Sequence, residues 1–148
     1  MHNGYSYYST MKNASLPDAK FFNKNGNFVD YRLSPSDCNA QVGPFIDNSQ
    51  NINDLPSDAS IQLGEIIKDL VDIHTKNTIE LDKNADGYLV LYWAKFIGGK
   101  LNRKKSLDWI KVYNESQKKG ANIQLIFLNL DYQDFWRITN EDIPEYDF

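Results

Sequence analysis

The chain has 148 residues, of which 41% are apolar and 24% are charged, as expected for one globular domain with a buried core. Its net charge of −4 argues against a general nucleic-acid binder, because such a protein needs a positive surface to neutralise phosphates. The single cysteine, Cys38, excludes an internal disulfide and a two-thiol metal site. No stretch approaches the ~20 consecutive apolar residues of a membrane-spanning helix.

The first third of the sequence predicts an arm, a hairpin and a short helix. Residues 1–17 are polar and rich in tyrosine, which is typical of a loop or an arm lying on the domain, and they lack the pattern of a signal peptide. Aromatic-rich runs flank Asn25-Gly26, and this dipeptide is a strong signal for a β-hairpin. We expect a short helix within residues 36–47 and a loop from Asn48 to Asp58.

The middle of the sequence predicts an amphipathic helix. Ser60 is a suitable N-cap for a helix that runs to about His74. Five apolar side chains within it fall on one helical face: Leu63, Ile66, Ile67, Leu70 and Ile73.

A strand–helix–strand unit is predicted after a polar turn at Asp82–Gly87. Its elements are a strand buried on both faces at Tyr88–Trp93, a helix at Lys100–Lys119 that ends at Gly120, and a second buried strand at Ile123–Leu130. Leu107, Ile110 and Tyr113 are expected on the inner side of the helix. A unit of this length places the two strands in parallel, with a right-handed crossover.

The segment from Asp86 to Lys100 resembles the centre of a thioredoxin. In that family an apolar strand ends in Phe/Tyr-Trp-Ala, two residues follow, and Cys-Gly-Pro-Cys then begins a long helix. In this chain the strand ends in Tyr92-Trp93-Ala94, and the four motif positions are Ile97, Gly98, Gly99 and Lys100. Leu128-Asn129-Leu130-Asp131 is similar to the end of the family's next strand, and Ile143-Pro144 stands near the family's cis-proline.

The resemblance covers residues 85–144 and implies an α/β fold in which a thioredoxin-like mixed sheet is flanked by helices, with residues 1–148 as a single domain. A thioredoxin has two antiparallel strands and a helix after its cis-proline, and the sequence has no counterpart after Pro144. The hairpin around Asn25-Gly26 is expected to complete the sheet instead, as in a circular permutation. The alternative is the N-terminal hairpin of the periplasmic, thiol-reductase-like branch.

The motif positions carry no thiol, although thiol–disulfide exchange requires an attacking and a resolving cysteine. Leu91 occupies the position at which the family often keeps a buried carboxylate. The sequence therefore predicts a non-catalytic binding module that needs no cofactor and takes a protein or peptide partner. By resemblance, the bacterial periplasm or cell envelope is the favoured compartment.

The predicted binding site is the loop that replaces the redox motif. Its residues are Ile97, Gly98, Gly99, Lys100, Arg103 and Pro144. The cluster of Lys100, Arg103, Lys104 and Lys105 is interpreted as a solvated basic face, with an anion site as the alternative.

Two other functions stay open: an enzyme with a non-thiol site on this scaffold, and a calcium-stabilised structural protein. Asp82, Asn84 and Asp86 match the first half of an EF-hand loop. The twelfth position, which should be a bidentate glutamate, is Trp93, so a polar turn without a metal is the preferred interpretation.

Overall fold

The computed structural model describes residues 17–32, 42–94 and 99–130 of the chain. Predictions for residues 1–16, Cys38 and residues 131–148 therefore lie outside the described residues. In chain order the elements are β1 (Asp18–Asn23), β2 (Asn27–Val29), α1 (Val42–Asp47), a 3-10 helix (Ser49–Asp54), β3 (Ser57–Gln62), α2 (Leu63–Ile67), β4 (Gly87–Trp93), α3 (Gly99–Lys118) and β5 (Ile123–Asn129).

The strands form one mixed five-stranded sheet in the order β3-β2-β1-β4-β5. β1 pairs antiparallel with β2 and with β4, and β2 pairs antiparallel with β3. β4 and β5 are parallel. Because helices pack on both faces of this sheet, the protein has the α/β class that the sequence predicted.

The hairpin predicted at Asn25-Gly26 is confirmed, since β1 and β2 pair antiparallel on either side of this dipeptide. Three residues, Lys24, Asn25 and Gly26, separate the strands, and only Gly26 has a positive φ, of 78°. The amide of Gly26 donates a 2.9 Å hydrogen bond to the carbonyl oxygen of Asn23. This geometry is a type I turn followed by a left-handed glycine. The hairpin joins the sheet antiparallel to β4, as expected.

The strand–helix–strand unit of β4, α3 and β5 is confirmed. The two strands are adjacent and parallel from Gly87 opposite Ile123 to Trp93 opposite Asn129. The helix ends where predicted, because Gly120 adopts a φ of 96° that other residues rarely take. β5 is less buried than expected, because it is an edge strand of the described sheet. The side chain of Phe127, for example, is 43% exposed.

Two hydrophobic layers cover the faces of the sheet. One layer joins α1, α3 and the 3-10 helix to the sheet, and its buried members are Ala19, Phe21, Val29, Val42, Ile46, Ile52, Leu89, Leu91, Trp109 and Ile123. The other joins α2 and the segment before β4 to the opposite face, with Phe22, Leu63, Ile67, Ala85, Tyr88, Val90, Tyr92, Ala94, Ile126 and Leu130 buried. The alternation along β4 therefore places Leu89, Leu91 and Trp93 toward α3.

The helix predicted from Ser60 to His74 is wrong in its extent. Residues 57–62 form strand β3, and the helix that follows spans only Leu63–Ile67. Pairing with β2 supplies backbone hydrogen bonds to this segment, and the amide of Leu63 donates to the carbonyl oxygen of Gly26 at 2.9 Å. Leu63 and Ile67 are buried as predicted, whereas Ile73 is 70% exposed.

Two smaller predictions also need correction, and a third is confirmed in its described part. The loop expected from Asn48 to Asp58 contains the 3-10 helix and the first residues of β3. The described part of the helix expected within residues 36–47 is α1. On α3, Leu107 is not inward but 55% exposed, and Trp109 fills the core beside the half-buried Ile110 and Tyr113.

Candidate functional site

The predicted binding loop lies between the carboxyl end of β4 and the start of α3. β4 ends at Trp93, the next residue, Ala94, is buried, and α3 begins at Gly99. The structure places three of the six predicted residues, Gly99, Lys100 and Arg103, together in the first two turns of α3. Lys100 and Arg103 are exposed. Ile97, Gly98 and Pro144 lie outside the described residues.

An aromatic pair stands at this end of the sheet, on the face that α3 covers. The rings of Trp93 and Phe127 stack with their centroids 5.3 Å apart and an interplanar angle of 8°. The amide of Leu130 donates a 2.8 Å hydrogen bond to the carbonyl oxygen of Trp93, which continues the pairing of β4 and β5 past the last strand residue. The buried Nε1 of Trp93 has no hydrogen-bond acceptor among the described residues. The pair forms a half-exposed apolar surface beside the first turns of α3.

Polar side chains gather at the same end of the sheet, on its other face. Because β1 runs antiparallel to β4, its first residue, Asp18, lies opposite Tyr92. Asp18 is buried, and the Nζ of Lys20 lies 5.4 Å from the centroid of the Tyr92 ring. No sequence motif predicts this group, since only the register of β1 on β4 brings its members together.

An ion pair between Arg32 and Asp30 follows β2. The guanidinium of Arg32 donates to both carboxylate oxygens of Asp30, at 2.9 Å from Nε and 2.8 Å from a terminal nitrogen. These hydrogen bonds hold the pKa of Asp30 below its usual value and raise that of Arg32. The pair is partly exposed, so its contribution to the free energy of folding is at most ~1 kcal/mol.

The candidate calcium ligands belong to a turn at the other end of β4. Asp82 Oδ1 accepts a 2.9 Å hydrogen bond from the amide of Asn84, and the carbonyl oxygen of Asp82 accepts one from the hydroxyl of Tyr88 at 3.1 Å. The carbonyl oxygens of Asn84 and Asp86 accept from the side-chain amides of Asn122 and Asn53, respectively. These bonds join the turn to Asn122, the residue before β5, and to Asn53 in the 3-10 helix. Within the described ranges, no three His, Cys, Asp or Glu side chains converge on a possible metal position.

Comparisons with protein-family models, curated proteins and solved structures find no match to this chain. The described helices include none with the length and hydropathy that a bilayer crossing requires. The carboxyl end of β4 is the candidate functional site of the described residues. That end combines exposed cations, a stacked aromatic pair and the first turns of a long helix.

Proposed function

We propose that the protein is a binding module on a thioredoxin-like scaffold and that it carries out no thiol–disulfide exchange. The observation that carries the proposal is the junction of β4 with α3. Trp93-Ala94 ends a central strand, a long helix begins at Gly99, and the intervening positions contain no cysteine. A redox enzyme of this type would need two thiols at this junction.

The order of the strands supports this proposal. A thioredoxin-like sheet requires a parallel neighbour on one side of the motif strand and an antiparallel hairpin on the other. β5 and the β1–β2 hairpin occupy these two positions beside β4. The hairpin precedes the motif strand in this sequence, which agrees with the permuted arrangement.

The chemistry of the junction suggests the kind of partner. Crevices outside the carboxyl ends of strands are where open α/β sheets bind their ligands. The Gly98-Gly99 pair permits close approach of another backbone, Lys100 and Arg103 add positive charge, and Trp93 with Phe127 adds apolar surface. These features suit an extended peptide that carries acidic groups.

The absence of redox activity is tested by the reduction of insulin with dithiothreitol. We expect the full chain to leave the uncatalysed rate unchanged, because Ile97 and Lys100 stand where both thiols would be required. The double variant Ile97→Cys/Lys100→Cys is the matched control for the assay. A clear rate enhancement by the unmodified chain would contradict the proposal.

The binding site is tested with a phage-displayed random peptide library selected on the full chain. The selected peptide is titrated against the wild type, Gly99→Arg and Lys100→Glu. Lys83→Glu makes the same charge change as Lys100→Glu, but in the turn before β4. We expect Gly99→Arg and Lys100→Glu to bind the peptide at least tenfold more weakly than the wild type. Lys83→Glu should bind it with unchanged affinity. Unchanged affinity in the folded Gly99→Arg and Lys100→Glu variants would place the site elsewhere.

A further inference from the structure

Leu107 lies on the outer surface of α3 and is surrounded by basic side chains. Leu107 is 55% exposed, and its neighbours at three and four positions on the helix are Arg103, Lys104, Ile110 and Lys111. Three of these four neighbours are exposed cations. The surface formed by Arg103, Lys104, Leu107 and Lys111, here called the basic–apolar stripe, is thus suited to a segment that is both acidic and apolar.

The packing of α3 shows which way the stripe faces. Trp109 and Ser116 are buried against the sheet, and Val112 lies on the flank next to α1, since a Cβ at Gly43 would contact it at 3.9 Å. Leu107 lies about 140° around the helix from Val112, given 3.6 residues per turn. Leu107 also lies about 160° around the helix from Trp109, so the stripe faces away from the sheet, on the outer surface of α3.

One segment of the chain has the complementary chemistry. Residues 131–148 contain six acidic side chains and one cation, Arg137, which gives this segment a net charge of −5. They also include five aromatic residues: Tyr132, Phe135, Trp136, Tyr146 and Phe148. Since the whole chain carries −4, the other residues together carry +1 (−4 minus −5). The acidic excess of the protein is therefore contained in this segment.

Residues 131–148 also follow directly on a strand that ends near the start of α3. The segment follows Leu130, at the carboxyl end of β5, which is the end of the sheet at which α3 begins. Leu107 lies eight residues after Gly99, or about 12 Å along the helix at 1.5 Å per residue. An extended chain of this length reaches roughly 60 Å, so even a partly compact segment can cover the stripe.

We propose that residues 131–148 bind the basic–apolar stripe of α3. Their carboxylates pair with Arg103, Lys104 and Lys111, and their aromatic rings cover Leu107. This contact goes beyond the proposed binding function, and it holds whether or not the loop before α3 binds a partner.

Hydrogen–deuterium exchange of the full chain tests the contact. We compare the wild type with Arg103→Glu/Lys104→Glu and with the control Lys24→Glu/Lys83→Glu, which makes the same charge change at the opposite end of β4. We expect exchange in residues 131–148 to become at least tenfold faster in the first variant only. Exchange of β4 and β5 is the check for folding. Equal exchange of residues 131–148 in all three proteins would overturn the proposal.

A second measurement uses the wild type and so does not depend on how a variant folds. A carbodiimide condenses a carboxylate with a nearby lysine amine, with loss of water, and mass spectrometry identifies the linked peptides. We expect Lys104 and Lys111 to link to residues 131–148 at 50 mM salt, and to do so several-fold less at 500 mM, because salt screens exposed charges. Links to Lys24 and Lys83 at equal frequency would refute the contact.

Discussion

The hydroxyl of Tyr113 donates a 2.6 Å hydrogen bond to the carbonyl oxygen of Ile123, the first residue of β5. The side-chain amide of Gln117 donates to the same oxygen at 3.0 Å. Two side chains that are four residues apart on α3 thus hold the start of the strand to which α3 leads. This contact closes the strand–helix–strand unit at the end opposite to the candidate site.

Replacement of Tyr113 by phenylalanine should lower the free energy of unfolding by about 1 kcal/mol, because one hydrogen bond to Ile123 is lost while that from Gln117 remains. Gln117→Ala should have an effect of similar size. The double variant should lose more than the sum, since the carbonyl oxygen then has neither side-chain donor. Urea unfolding of the wild type, the two single variants and the double variant gives the coupling free energy between Tyr113 and Gln117. Strictly additive losses would contradict their shared role in binding the carbonyl oxygen of Ile123.

The same tyrosine predicts how stability depends on alkaline pH. Burial raises the pKa of Tyr113 above its usual value of 10.0, and this outweighs an opposing interaction with the backbone of Leu125. The folded state therefore holds this proton more tightly than the unfolded state. The protonated Tyr113 hydroxyl therefore contributes fully to the stability of the fold below about pH 10. This contribution is lost as the pH rises through the pKa of Tyr113 in the folded state. Between pH 9 and 11, the wild type should lose more stability than Tyr113→Phe, as measured by urea unfolding at each pH.

Gly87 should not tolerate a side chain. A Cβ at this position would lie 2.8 Å from the carbonyl oxygen of Phe22 and 3.0 Å from Cδ1 of Ile52. Because the first of these atoms belongs to the neighbouring strand, Gly87→Ala should cost about 1–3 kcal/mol of stability.

Gly64→Ala is the matched control, because a Cβ at Gly64 has no atom within 4 Å and the residue lies in α2. This variant should be as stable as the wild type or gain about 0.5 kcal/mol from its higher helix propensity. Thermal unfolding of the two variants separates the effects. A Gly87→Ala protein as stable as Gly64→Ala would show that β1 and β4 are less closely packed at Gly87.

Asn23 should be important for the hairpin, because its buried Oδ1 accepts hydrogen bonds from the amides of Asn25 and Asn27 at 3.0 and 3.1 Å. Asn23→Ala leaves both donors without this acceptor, and we expect a loss of about 1–3 kcal/mol. Asn25→Ala changes an exposed side chain in the same loop and should stay within about 0.5 kcal/mol of the wild type. Equal effects of the two substitutions in urea unfolding would be inconsistent with this role.

Calcium should leave the melting temperature unchanged at millimolar concentration. Asp82 uses one carboxylate oxygen and its carbonyl oxygen within the turn, and Trp93 stands where an EF-hand loop needs its bidentate glutamate. Binding to the folded state alone would raise stability by mass action. A rise of several degrees with calcium but not magnesium, abolished in Asp82→Ala, would restore the calcium hypothesis.

The elements whose signals are local could be predicted from the amino-acid sequence. The continuous apolar run of β4, the glycine after α3 and the turn residues of the hairpin each depend on neighbouring residues, so these elements could be predicted. Their order along the chain also implied the parallel pairing of β4 with β5. Of the predicted binding site, Gly99, Lys100 and Arg103 could be placed at the start of α3 for the same reason, whereas their role in binding stays a prediction.

The features that depend on residues far apart in the chain could not be predicted in this way. β3 is mostly polar and exposed, so it has no signature in the sequence and forms because β2 offers an open edge. The apolar spacing of Leu63 and Ile67 was correctly interpreted as burial, but pairing with β2 prevented the helix from starting at Ser60. The exposure of Leu107 and the meeting of Asp18 with Tyr92 depend on helix docking and strand register, and these are set by contacts between residues far apart in the chain.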